Sequence, residues 1–191
     1  MKATMTGRSL SQVLHGLVCG LLAAAVIAAA VTVGGVSFPE SMTVDGHLLV
    51  LNGSGVHAEW GVHLYAIALY LPTRSADLPA IHEDDVPKAF RIEVLHSGWG
   101  SHAVPEQWQA ELYPQLTPEA TARLKDAYAA LTKGDVIVIA YAPGVGTHIR
   151  VNDQPLLAGH GPGLMRAFLN LWIGPHPISP ELRHALLNGA P

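Results

Sequence analysis

The sequence predicts an α+β domain: a large antiparallel sheet with a layer of helices on one face. Three observations lead there. Tight turns join short apolar runs into hairpins, two long runs are rich in aromatic and β-branched residues, and apolar positions at helical spacing cluster between and after the strands. At 191 residues the chain supports one domain with a substantial core and is too short for two, so a single site is sought.

The first hairpin is written by Met42-Thr43-Val44 and His47-Leu48-Leu49-Val50-Leu51 around Asp45-Gly46, a pair able to take the positive φ values of a two-residue turn. After Gly53-Ser54-Gly55, residues 62–71 read as a long, mostly buried strand that Pro72 closes. Phe90, Ile92 and Val94 alternate with Arg91 and Glu93, a strand with one wet face. Two helices are expected next, one opening at Pro105 and one capped by Thr117-Pro118. The second places Leu124, Tyr128 and Leu131 on one face and stops at Gly134. Residues 136–141 form a second core strand, which Pro143-Gly144-Val145-Gly146 turns back into residues 147–151 before Asn152-Asp153 turns the chain again. A helix over about 163–172 carries Leu164, Phe168 and Leu171, and Ser179-Pro180 caps a last one carrying Leu182 and Leu186.

Ahead of this domain Lys2 and Arg8 precede residues 17–33, which contain no charge. That pattern is an export signal: small residues at Ala28 and Ala30 suit cleavage after Ala30, and the run is also long enough to span a bilayer uncleaved. Both versions put the basic end inside and the domain outside. Residues 1–36 are thus assigned to a signal peptide or N-terminal membrane anchor and 37–191 to a periplasmic or secreted domain that meets the membrane only through that segment. The sole cysteine, Cys19, lies in the leader, which leaves the domain no disulfide, thiolate nucleophile or thiolate metal site.

With 11 Lys and Arg scattered against 15 Asp and Glu, no basic face for phosphates is visible, which argues against a nucleic-acid partner. Eleven histidines invite a metal, yet neither His57 with His63, which Gly61 interrupts, nor His96 with His102 has the tight spacing of a metal site. No metal and no cofactor is expected.

Three segments resemble the chalcone isomerase-like family, above all its bacterial members and the plant fatty-acid-binding branch. The first is Gly53-Ser54-Gly55-Val56-His57 followed by Leu64-Tyr65-Ala66-Ile67-Ala68-Leu69-Tyr70-Leu71-Pro72. The second is Lys133-Gly134-Asp135 with Tyr141-Ala142-Pro143-Gly144-Val145-Gly146-Thr147, and the third is Leu171-Trp172-Ile173-Gly174 with Pro177. Their order and spacing make the match specific where each alone is weak. The resemblance implies the chalcone isomerase fold, an open-faced sandwich with a ligand cleft between sheet and helices.

In the plant enzymes, the resemblance implies, an Arg supports the developing enolate, and the matching position here is His57, which lacks a planar two-pronged donor. Tyr65 stands in place of a small hydroxyl residue and Met165 in place of a late-helix Ser or Thr, while Tyr113 is the candidate counterpart of the enzyme's Tyr. These replacements imply little or no cyclisation, and no catalytic residue is nominated. Tyr65 matches the fatty-acid-binding branch, so the implied ligand is a small apolar molecule such as a fatty acid, held by His57, Tyr65, Met165 and Tyr113. Plainer readings stand beside these: His57 as a wet loop residue, Tyr65 as a core aromatic with a satisfied hydroxyl, and Met165 as packing. Two other functions also stay open, an intramolecular lyase on an unknown substrate and an envelope interaction module with a vestigial cleft.

Overall fold

The computed structural model describes residues 29–97 and 103–189. The expected leader lies largely outside them, as does His102. Seven strands pair in chain order, every neighbour antiparallel: β3 (Ser41–Val44), β4 (His47–Glu59), β5 (Val62–Leu71), β6 (Lys88–Val94), β7 (Val136–Ala142), β8 (Gly146–Val151) and β9 (Gln154–Gly159). A separate hairpin, β1 (Ala30–Val33) and β2 (Val36–Pro39), precedes them. The helices are α1 (Leu78–Glu83), α2 (Glu106–Leu112), α3 (Pro118–Ala130), α4 (Gly163–Ile173) and α5 (Pro180–Asn188).

The two sheet faces differ in side-chain size. Toward the helices point Tyr65, Ile67 and Leu69 of β5, Phe90, Ile92 and Val94 of β6, and Ile137 and Ile139 of β7, packed against α4 and α5. The other face is built of Ala66, Ala68, Ala89 and Ala140, with Tyr70 among them. Small residues let the sheet curl toward that side, and β3 comes round to touch β7. Val36 and Phe38 of β2 fill the hollow, and the Tyr70 hydroxyl donates to the Pro39 carbonyl at 2.9 Å. Residues 30–36, assigned to the leader from sequence, therefore lie within the ordered unit and cover a face that the alternation at Arg91 and Glu93 suggested was wet.

Gly53-Ser54-Gly55 does not break the chain. β4 runs as one 13-residue strand through it, with a register irregularity between Leu51 and Gly53. Glycine is required there because α5 lies directly on the strand: a Cβ at Gly53 would stand 2.2 Å from the Ala185 carbonyl oxygen, and one at Gly55 2.8 Å from Leu182 Cδ1. Asn52, buried beside them, donates to the Leu186 carbonyl at 2.8 Å and accepts from the Ser75 amide at 2.7 Å, which fixes the end of α5 to β4.

Four hairpins use two-residue turns with positive φ at both positions: Gly34 and Gly35 (60° and 83°), Asp45 and Gly46 (45° and 82°), Trp60 and Gly61 (53° and 78°), and Asn152 and Asp153 (48° and 64°). Asp and Asn tolerate this region; a tryptophan does not, and Trp60 is fully exposed, so it recovers nothing by packing. Trp60→Asn is expected to raise stability by about 1 kcal/mol, a rise of roughly 2–4 °C in Tm. A melting curve that is unchanged or lower would count against the strain argument.

Candidate functional site

His57 and Tyr65 are direct cross-strand partners on the helix-facing side, their ring centroids 5.0 Å apart. His57 is only 6% exposed and sits on β4, so the wet-loop reading does not hold. The reason is local: the strand continues past the glycine pair and carries His57 under the helical layer before the Trp60 turn. Its Nε2 lies 3.1 Å from Glu59 Oε1. A carboxylate only accepts, so in the neutral ring Nε2 holds the proton and Nδ1 is left as an acceptor. Nδ1 is buried and has no hydrogen-bond partner among the described residues.

Tyr65 is 1% exposed, and its hydroxyl accepts a hydrogen bond from the Trp172 indole N–H at 3.0 Å. Burial first, then the neighbouring Tyr128 and Glu59, push this phenol far above its ordinary range, against the lowering effect of the indole. Tyr128 is pushed up to about 12 by burial and by Glu59. Both hydroxyls are therefore neutral groups throughout the physiological range, and the neighbourhood opposes negative charge.

The space between sheet and helices begins beyond Trp108. This α2 residue is 6.4 Å from the Tyr65 ring, 6.1 Å from Tyr128 and 5.7 Å from Trp172, centroid to centroid. Past it lies a narrow slot of about 40 Å³, floored by Ile92, Ile137, Ile139 and Ile149 and roofed by Leu124, Ala127, Tyr128 and Leu131 around α3. The lining exposes no polar surface. The volume accommodates a few water molecules at most, so a chain-like ligand needs α3 to lift. That helix is suited to it: Tyr128 is its one buried residue, and its main packing partner is β9, at the end of the sheet order farthest from β4.

The four residues read from sequence thus divide. His57 and Tyr65 meet as a pair. Met165 is 1% exposed inside the core cluster on α4, and Tyr113 lies in a short 3₁₀ turn after α2, with the Lys125 ammonium 5.1 Å from its ring centre. Neither lines the slot. Burial raises the Tyr113 phenol, whose hydroxyl is enclosed without a hydrogen-bond partner among the described residues. Glu59, Trp108 and Trp172 were not singled out from sequence. For Glu59 a signal existed, since two residues along a strand share a face with His57; the two tryptophans come from helices whose docking only the tertiary structure supplies.

No curated protein matches the chain by sequence. Among solved structures, a fatty-acid binding protein of Arabidopsis thaliana aligns with a TM-score of 0.57, covering 83% of this chain and 96% of its own at 15% identity, which is a likeness of fold. The family profile described as chalcone isomerase-like matches residues 30–188, which takes in every strand and helix described above. On that match and on the curled seven-stranded sheet with its helical layer, the chain belongs to the chalcone isomerase-like family.

Proposed function

We propose that this protein binds a small amphiphile, with its apolar tail in the slot beneath α3 and its polar head at His57 and Tyr65, and does not turn it over. The observation that carries the reading is an entirely apolar slot separated from a buried polar pair by one aromatic side chain, Trp108. Buried tail surface stabilises by roughly 0.8 kcal/mol per methylene, so affinity should climb about tenfold or more for each two carbons added. The Arabidopsis neighbour, a fatty-acid binding protein, supports the same ligand class. Cyclisation is disfavoured because the position that the family's enzymes give to a guanidinium holds an imidazole already engaged by Glu59, and Tyr65 does not ionise. We place the protein outside the cytoplasmic membrane on the basis of the basic, then apolar, leader.

The test is saturable binding of the uncharged dye N-phenyl-1-naphthylamine and its displacement by saturated acids of increasing length. Ala127→Phe, which pushes a ring into the slot from α3, should weaken binding at least tenfold while leaving Tm unchanged or raised. A wild-type protein without saturable dye binding, or an Ala127→Phe protein that binds normally, would remove the proposal.

A further inference from the structure

We infer that the head group taken at His57 is uncharged and donates a hydrogen bond, as an alcohol, a phenol or a protonated acid does, and is not an ionised carboxylate; the inference rests on the amphiphile reading above. Three features of the pair lead to it. With Glu59 Oε1 at 3.1 Å from Nε2, the imidazole presents a lone pair, not a proton, at Nδ1. Nδ1 is enclosed in a residue that is 94% buried, and it lacks a partner among the described residues. An unsatisfied buried acceptor is costly, and a ligand O–H placed there removes that cost.

A carboxylate placed there meets the Nδ1 lone pair with the Glu59 charge one imidazole width behind it. Protonating the ring does not rescue the anion, because the imidazolium is already neutralised by Glu59, its one ion-pair partner among the described residues. The protein also holds its own test groups: the Tyr65 and Tyr128 phenols, in the same neighbourhood, are both driven toward the neutral form by burial and by Glu59. A bound acid would experience the same two effects. Glu59 is about half exposed, so solvent weakens its share, and the enclosed lone pair is the stronger discriminator.

The experiment compares 1-decanol with decanoate at pH 8 as displacers of N-phenyl-1-naphthylamine from the full chain, below their aggregation concentrations. The expected result is decanol binding at least tenfold more tightly than decanoate. Glu59→Gln should narrow that gap by at least threefold, because an amide N–H can donate to Nε2 and let Nδ1 carry the proton instead. His57→Arg should reverse the preference, since a guanidinium gives a carboxylate charge and two donors. Nitrogen NMR of His57 in the wild type should show the Nε2–H tautomer, a readout independent of any variant's folding. Decanoate binding as tightly as decanol, or a proton resident on Nδ1, overturns the inference and leaves the amphiphile reading intact. Saturable dye binding that neither displacer affects overturns both.

Discussion

Gly53→Ala is expected to cost about 3 kcal/mol or more of stability and to lower Tm by roughly 10 °C. The added carbon would stand 2.2 Å from the Ala185 carbonyl oxygen, and the Leu186 carbonyl oxygen is only 2.5 Å away. Neither obstacle is a side chain that can rotate; both belong to the last turns of α5. The helix would have to rise off β4, exposing Leu182 and Leu186 and pulling the Leu186 carbonyl away from Asn52. Gly159→Ala is the matched control. There the nearest atoms are Cδ2 and Cβ of Leu164 at 3.3 and 3.4 Å, no backbone atom stands in the way, and φ is not positive, so a loss of about 1 kcal/mol or less is expected. Urea and thermal melts of both variants decide the matter, and a Gly53→Ala protein within 1 kcal/mol of wild type would mean that α5 does not press on the strand.

Trp172→Ala should cost about 3–5 kcal/mol, the range for deleting a buried tryptophan. Its side chain is fully buried and lies against Phe90 at 4.7 Å, stacks on Phe168 at 5.6 Å with 12° between planes, and meets Trp108 edge-on at 5.7 Å. It also donates to Tyr65. Trp172→Phe keeps most of the packing and deletes the donor, so about 1–2 kcal/mol is expected, and the difference between the two variants separates ring from hydrogen bond. Near-ultraviolet circular dichroism should lose much of its aromatic signal only in the alanine variant. Equal losses in the two variants would show that the indole N–H, not the ring, is what the core needs.

Much of the sheet was legible because its signals are local. Asp45-Gly46 and Asn152-Asp153 take the positive φ values that two-residue turns need, and the runs at 62–71 and 136–141 became β5 and β7. The Thr117 and Ser179 caps accept from the Ala120 and Leu182 amides, as their Pro-following pattern implies. What escaped the sequence is held by distant contacts. α1 is six residues long; Asp77 caps one end, while Lys88, buried on β6, donates from Nζ to the Ile81 and Asp84 carbonyls at the other. β1 lay hidden in the apolar run at the N-terminal side because a strand and the tail of a signal segment look alike in composition.

The site was only half legible, for a different reason. The motifs that carry the family likeness mostly secure packing: Gly53 and Gly55 admit α5, and Gly146, at φ 105°, admits the Gly159 carbonyl oxygen to where its Cβ would be. They announce the fold and say little about the ligand. His57 and Tyr65 were legible through the resemblance, which sets them at positions matching the family's Arg and strand Tyr, and the paired strands bring them together. Met165 and Tyr113, read from the same resemblance, lie on α4 and in the 3₁₀ turn after α2, and how these segments turn against the sheet is fixed by shape complementarity that no short motif records.

At one pole of the sheet the Ala29 carbonyl accepts from Glu40, the Glu40 carbonyl accepts from Leu51, and Gly189 comes up against the Asn52 carbonyl. Ala29 and Gly189 thus lie beside the neighbouring residues Leu51 and Asn52, about 20 Å along β4 from His57. A reporter joined directly to Ala29 or Gly189 would stand clear of the imidazole. In a domain trimmed to residues 29–189, a short bridge between those two residues would free the Trp60 turn to become a new pair of termini, which makes that fragment a subject for circular permutation.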